Sequence, residues 1–100
     1  MSAKQRRDNM RTIGDAIREL VDAYHLNDKL LETKIINAWS EVAGKYISKN
    51  TQKLYISDQI LYVTIASSII KHELSIAHDD LLEQLNSIAG KPYLKKIVFL

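Results

Sequence analysis

Cysteine is absent from the 100-residue chain. That absence removes thiolate nucleophiles, disulfide staples and every cysteine-based zinc site, and it fits a reducing compartment. Glycine is scarce: Gly14, Gly44 and Gly90 lie far apart, so no glycine-rich loop can cradle a phosphate and no Gly-x-Ser-x-Gly elbow can present a nucleophile. No stretch approaches the roughly 20 consecutive apolar residues that a membrane helix requires. The first residues, Met1 to Arg7, contain no apolar run to act as a signal peptide. A cytoplasmic protein with no membrane partner is expected. The three histidines, His25, His72 and His78, do not form a metal motif. His72 and His78 are six positions apart, on different faces of any helix, and neither has a histidine or carboxylate four residues away. No metal, no cofactor and no enzymatic activity are expected.

What is present is enough apolar material for one core: 46% of the residues are hydrophobic, in a chain too short for two ordinary domains. The formal charge of +2 is unevenly placed. Lys4, Arg6, Arg7 and Arg11 oppose only Asp8, a balance of +3 in residues 1–11, while the remaining 10 basic and 11 acidic residues sum to −1. Residues 1–11 therefore read as a basic, flexible arm and residues 12–100 as a single domain. Such an arm neutralises phosphates without reading sequence; its plain alternative is a solubilising tail.

Periodicity supplies the elements. Thr12 is placed to cap a first helix carrying Ile13, Ile17, Leu20, Val21 and Tyr24 at three- and four-residue spacing. His25 to Asp28 is expected to end it and start a second, with Leu31, Ile35, Ala38, Trp39, Val42, Tyr46 and Ile47 on one stripe. Gly44 falls inside that stripe and predicts a bend or a close backbone approach. From Thr51 the period becomes two, and Asp58-Gln59 offers a two-residue turn between strands, pairing Tyr55 with Tyr62 and Lys53 with Thr64. Ser67 or Ser68 can cap a third helix of about five turns through Ile70, Leu74, Ala77, Leu81, Leu85 and Ile88, ended by Gly90 and Pro92. Lys96 to Leu100 closes the chain as a strand apolar on both faces, expected to be covered rather than at a bare edge and to run parallel to the second strand. The order is ααββαβ, an α+β domain with a three-stranded sheet.

The segment Ile36-Asn37-Ala38-Trp39-Ser40-Glu41-Val42-Ala43-Gly44 stands in fixed order before Thr51, Leu61-Tyr62-Val63, Ser68 through Leu74 and the closing Ile97-Val98-Phe99-Leu100. In this combination the chain resembles the DciA (Dna[CI] antecedent) family over roughly Thr12 to Leu100. The resemblance implies a K-homology-like domain that assists loading or operation of the bacterial replicative helicase and touches single- or double-stranded DNA. The Gly-x-x-Gly clamp of true K-homology domains is missing, so that mode of nucleotide binding is not carried over. Many relatives carry a flexible tail beyond the domain, and a function seated in that tail is not expected of this sequence.

Candidate binding residues follow, each with a plainer alternative. Trp39 and Gly44 identify the family but read as structural, Trp39 as a core anchor. Lys45, Lys49 and Lys53 can line a phosphate-binding edge, or form a solvated helix end in which Glu41 pairs with Lys45. Tyr55 and Tyr62 can stack unpaired bases, or merely stabilise the hairpin. Asp79, Asp80 and Glu83 form an acidic surface that is either solvated or turned to a basic partner. A K-homology-like RNA-binding module and a pure interaction or oligomerisation domain are the competing readings.

Overall fold

Proline is missing before position 92, and the first half of the chain is helical. The computed structural model describes residues 3–100, with side chains described from Thr12 onward. Its elements are α1 (Ala3–Ala43), α2 (Lys45–Lys49), β1 (Thr51–Ser57), β2 (Ile60–Ile65), α3 (Ser68–Ile76), α4 (His78–Ala89) and β3 (Lys96–Phe99). The α+β class and the order of helices and strands are those expected, with two breaks differently placed.

The first break falls at Gly44 rather than at His25 to Asp28. Asn and Asp inside a helix cost only a few tenths of a kcal/mol more than better helix formers, so the Asn27-Asp28 cap signal is too weak to stop α1. Gly44 stops it outright, at φ 92° and ψ 164°, a conformation that disfavours residues with a Cβ. A Cβ placed there would meet nothing within 4 Å, so the glycine serves a bend and not a close approach. The backbone ladder bridges the break: Gly44 N–H donates to Ser40 (3.0 Å), and Ser48 N–H donates to Gly44 (2.9 Å).

The chain divides into two compact units, Met1–Leu30 and Leu31–Leu100. In the first, α1 presents Ile13, Ile17, Leu20 and Tyr24 at 58–63% exposure. The second holds the core, in which Ile35 and Trp39 of α1 meet Leu61, Val63 and Ile65 of β2 and Leu81 and Leu85 of α4.

The hairpin has the expected register, with Ile56 opposite Leu61, Leu54 opposite Val63, Tyr55 opposite Tyr62 and Lys53 opposite Thr64. Asp58 (φ 53°) and Gln59 (φ 63°) both occupy the left-handed region, the geometry of a two-residue turn matched to strand twist. A bulge that alternation alone does not reveal lies between Thr51 and Lys53: Thr51 pairs with Ile65 and Lys53 with Thr64. Two steps on β1 match one step on β2, so Thr51 shares the core face with Ile65 while Lys53 shares the opposite face with Tyr55.

The expected five-turn third helix is divided at Ala77 (ψ 7°) into α3 and α4. Ser67 caps α3 by accepting from Ile70 N–H at 3.3 Å. Asp79 and Asp80 sit in the first turn of α4, where negative charge favours a new helix start. The stripe continues in phase across the division through Leu81 and Leu85; at its end Ala89 is buried and Ile88, expected inward, is 37% exposed. Gly90 ends α4 in the left-handed conformation, φ 84°.

β3 runs parallel to β2, Ile60 to Val63 pairing with Lys96 to Phe99. The sheet order β1-β2-β3 places β3 at an edge, contrary to the expectation of a covered strand. A side chain closes part of that edge. His78 Nε2 accepts from Ile97 N–H at 3.0 Å. Its Nδ1, which must then carry the proton in the neutral ring, donates to Asp79 Oδ1 at 2.9 Å. Of the strand's apolar residues, Ile97 and Phe99 face the core, while Val98 lies half-buried on the opposite face.

Gln59 carries a left-handed backbone cost of about 1 kcal/mol that glycine would not. Gln59→Gly should raise the melting temperature by a few degrees; an unchanged or lower value in thermal denaturation would contradict the strain assigned to this turn.

Candidate nucleic-acid interface

Two faces of the sheet have different chemistry because the residues alternate. Leu61, Val63, Ile65 and Ile97 point into the core, and Leu54, Ile56 and Phe99 pack against it. The other face consists, by register, of Lys53, Tyr55 and Ser57 on β1, Ile60, Tyr62 and Thr64 on β2, and Lys96 and Val98 on β3. None of these belongs to the core cluster.

Tyr55 and Tyr62 stack on this outer face with ring centroids 5.0 Å apart and planes inclined by 15°. The stack consumes one side of each ring. Tyr55 remains 43% exposed and Tyr62 is half-buried. Lys53 lies at one end of the face beside Thr64, and Lys96 lies at the other end beside Ile60. A planar aromatic pair flanked by ammonium groups can take a base against its free ring and phosphates at its margins.

α2 leads directly into β1 and carries Lys45 and Lys49 one turn apart, both exposed. Between them Tyr46 is 69% exposed. The periodic stripe had assigned Tyr46 to the buried face. The break at Gly44 rotates α2 relative to α1, so Ile47 packs on the core while Tyr46 turns outward. Among the described residues, the only close contact of a basic nitrogen with a carboxylate is the hydrogen bond of the His78 ring to Asp79. Glu41 does not pair with Lys45, since α1 has ended before the lysine is reached. Lys45, Lys49, Lys53 and Lys96 make no ion pair among the described residues.

Trp39 lies in the core at 2% exposure. Its Nε1–H donates to Thr51 Oγ1 at 3.1 Å, and the Thr51 hydroxyl donates in turn to the Ile47 carbonyl at 2.8 Å. This chain ties the end of α1, the end of α2 and the bulged start of β1 together, beneath the surface on which Lys45, Lys49 and Lys53 stand. Gly44 supplies the break that frees α2. The side chains of Lys4, Arg6, Arg7 and Arg11 lie outside the described residues.

Sequence reasoning missed Tyr46 and Lys96. The signal for Lys96 was available in principle, since a parallel register of Ile60 with Lys96 puts the lysine on the tyrosine face; the register itself is not written in the local pattern. Tyr46 depends on the φ of Gly44. Asp79, Asp80 and Glu83 are exposed at the start of α4. His25 and His72 are exposed, and His78 serves the β3 edge. Among the described residues no three histidine, aspartate or glutamate side chains gather as a metal site, and no helix is long and apolar enough to cross a membrane.

The family model described as Dna[CI] antecedent, DciA, matches residues 12–99. The chain belongs to the DciA family. Membership brings a role in helicase loading during DNA replication, a replication accessory function associated with the replicative helicase. No curated protein matches the chain. In this DciA domain the family segment Trp39 to Gly44 builds the frame of the lysine-bearing surface.

Removing the indole should be costly. Trp39→Ala is expected to lose about 3–5 kcal/mol of unfolding free energy, whereas Thr51→Val, which leaves the buried Nε1–H unpartnered, loses about 1–3 kcal/mol. Chemical denaturation of both variants measures this, and a Trp39→Ala chain of unaltered stability would refute the anchoring role.

Proposed function

We propose that this chain is a non-catalytic replication accessory protein that binds both the replicative helicase and DNA and assists helicase loading, with DNA held on α2 and the outer face of the sheet. The observation that carries the DNA part is the stacked Tyr55–Tyr62 pair, set on an otherwise small-residue and apolar face and flanked by lysines that have no acidic partner among the described residues.

The chemistry divides the labour. Lys45, Lys49, Lys53 and Lys96 supply ammonium groups for phosphates, an attraction that is indifferent to sequence. The free side of Tyr55, with the exposed Tyr46, supplies flat apolar surface that any unstacked base can use. A duplex keeps its bases inside the helix, so aromatic contacts favour single strands. The basic residues Lys4, Arg6, Arg7 and Arg11 add charge to the same task. ATP turnover belongs to the helicase partner, and the chain contributes binding. A K-homology-like arrangement is compatible with the order of elements, while contact with nucleotides proceeds without a Gly-x-x-Gly clamp.

Fluorescence anisotropy with a labelled single-stranded oligonucleotide tests this. Changing Lys45, Lys49 and Lys53 together to Glu should weaken binding at least about tenfold and flatten the slope of log affinity against log salt by roughly 2, as loss of three phosphate contacts requires. Tyr55→Ala should weaken single-strand binding by about tenfold, the worth of one base stack, and change duplex binding little. Unaltered affinity in the triple variant would remove DNA from this surface, and tighter binding of structured RNA at matched salt would reassign the face to RNA. Failure of the replicative helicase to co-purify with the chain would remove the helicase half of the proposal.

A further inference from the structure

We infer that two copies of this chain pair through the N-terminal half of α1, antiparallel, along the strip formed by Ile13, Ile17, Leu20, Val21 and Tyr24. These five side chains are 47–63% exposed. Ile13, Ile17, Leu20 and Tyr24 follow the alternating four- and three-residue spacing of a helix that packs against another helix. Asp15, Arg18, Glu19 and Asp22 occupy the opposite side of the same turns and suit a face left in water.

The area argues for a partner of the same kind. Each of the five residues leaves on the order of 100 Å² in water, so two copies would bury roughly 1,000 Å² or more, the threshold of a specific interface. An unpartnered strip of roughly 500 Å² is at the upper limit of what monomers expose.

The order of side chains makes the strip complementary to itself when reversed. About an axis passing between Arg18 and Glu19, Ile13 meets the partner's Tyr24 and Ile17 meets the partner's Leu20, giving four layers that are apolar throughout. The same axis sets Ala16 against the partner's Ala23 and Gly14 against the partner's Val21, so the flanks are small and the helices can approach closely. A parallel pair would instead place Tyr24 against Tyr24 and Asn27 against Asn27 in the seam. It would also bring together two N-terminal segments that each carry a net charge of +3 across residues 1–11. The antiparallel pair separates those charges and leaves Asn27 outside the overlap.

Sedimentation equilibrium of the full chain tests the pairing, and the expected result is a reversible dimer. Leu20→Glu should raise the dimer dissociation constant by at least about a hundredfold, because it buries a charge in the seam, without lowering the melting temperature of the C-terminal unit. The native absence of cysteine permits a second measurement. Oxidation of the Ala16→Cys, Ala23→Cys double variant should give a covalent dimer. Either single variant alone should not, since its two thiols would stand about 10 Å apart along the helices. A monomer at every concentration, or a dimer insensitive to Leu20→Glu, overturns the inference. Covalent dimers of the single variants overturn the antiparallel arrangement, and a monomeric chain in which Leu20→Glu abolishes only helicase binding assigns the strip to the helicase instead.

Discussion

The Trp39 indole and the Thr51 hydroxyl hold the architecture of the candidate interface together. Burial of the indole stabilises the core, but its Nε1–H needs an acceptor there, since a buried unpaired donor costs about 1–3 kcal/mol. Thr51 provides the acceptor only because β1 begins with a bulge that turns this residue inward. Beyond the bulge regular alternation resumes, with Lys53 outward alongside Tyr55. One hydrogen bond inside the protein therefore accompanies the inward turn of Thr51, from which the regular alternation of β1 sets out. Thr51 also reaches the Ile47 carbonyl and so fixes the end of α2, whose Lys45, Tyr46 and Lys49 are exposed. The family segment Trp39 to Gly44 acts in this way as a frame for neighbouring surface residues.

Helix breaks do the remaining positioning. At Gly44 a single positive φ ends α1, and the restarted helix presents a different side to the core. At Ala77 a smaller change in ψ separates α3 from α4, whose first residue, His78, reaches the free edge of β3. An edge strand with exposed N–H groups invites pairing with other chains. Here one of those groups is taken by an imidazole. Loop contacts brace the same region: Asn86 both donates to and accepts from Leu94, and Tyr93 donates its hydroxyl proton to Glu32 at 2.6 Å.

Much of this was legible in the amino-acid order. The hairpin register followed from alternation and the Asp58-Gln59 turn, because a shift by one residue would have moved Leu54 and Ile56 out of the core. The parallel sense of β3 followed from the handedness of its crossover. Three features were not legible, for separate physical reasons. The continuity of α1 through Asn27 and Asp28 is a balance of small propensities that no local signal decides. The bulge at the start of β1 answers the hydrogen-bonding need of Trp39, twelve residues away in sequence. The exposure of Tyr46 depends on a backbone angle at Gly44, and that of Lys96 beside the tyrosines on the pairing of strands thirty-six positions apart. Lys45, Lys49, Lys53, Tyr55 and Tyr62 could be named from charge and spacing, whereas their common setting required the sheet.

The central claim is that nucleic acid lies on α2 and the outer face of the sheet and not on α4. Residue-resolved amide chemical shifts of the chain, titrated with a short single-stranded oligonucleotide, address it most directly. The account predicts perturbations concentrated at Lys45 to Lys49 and at Lys53, Tyr55, Tyr62, Lys96 and Val98. Perturbations confined to α4, or none at saturating oligonucleotide, would contradict it.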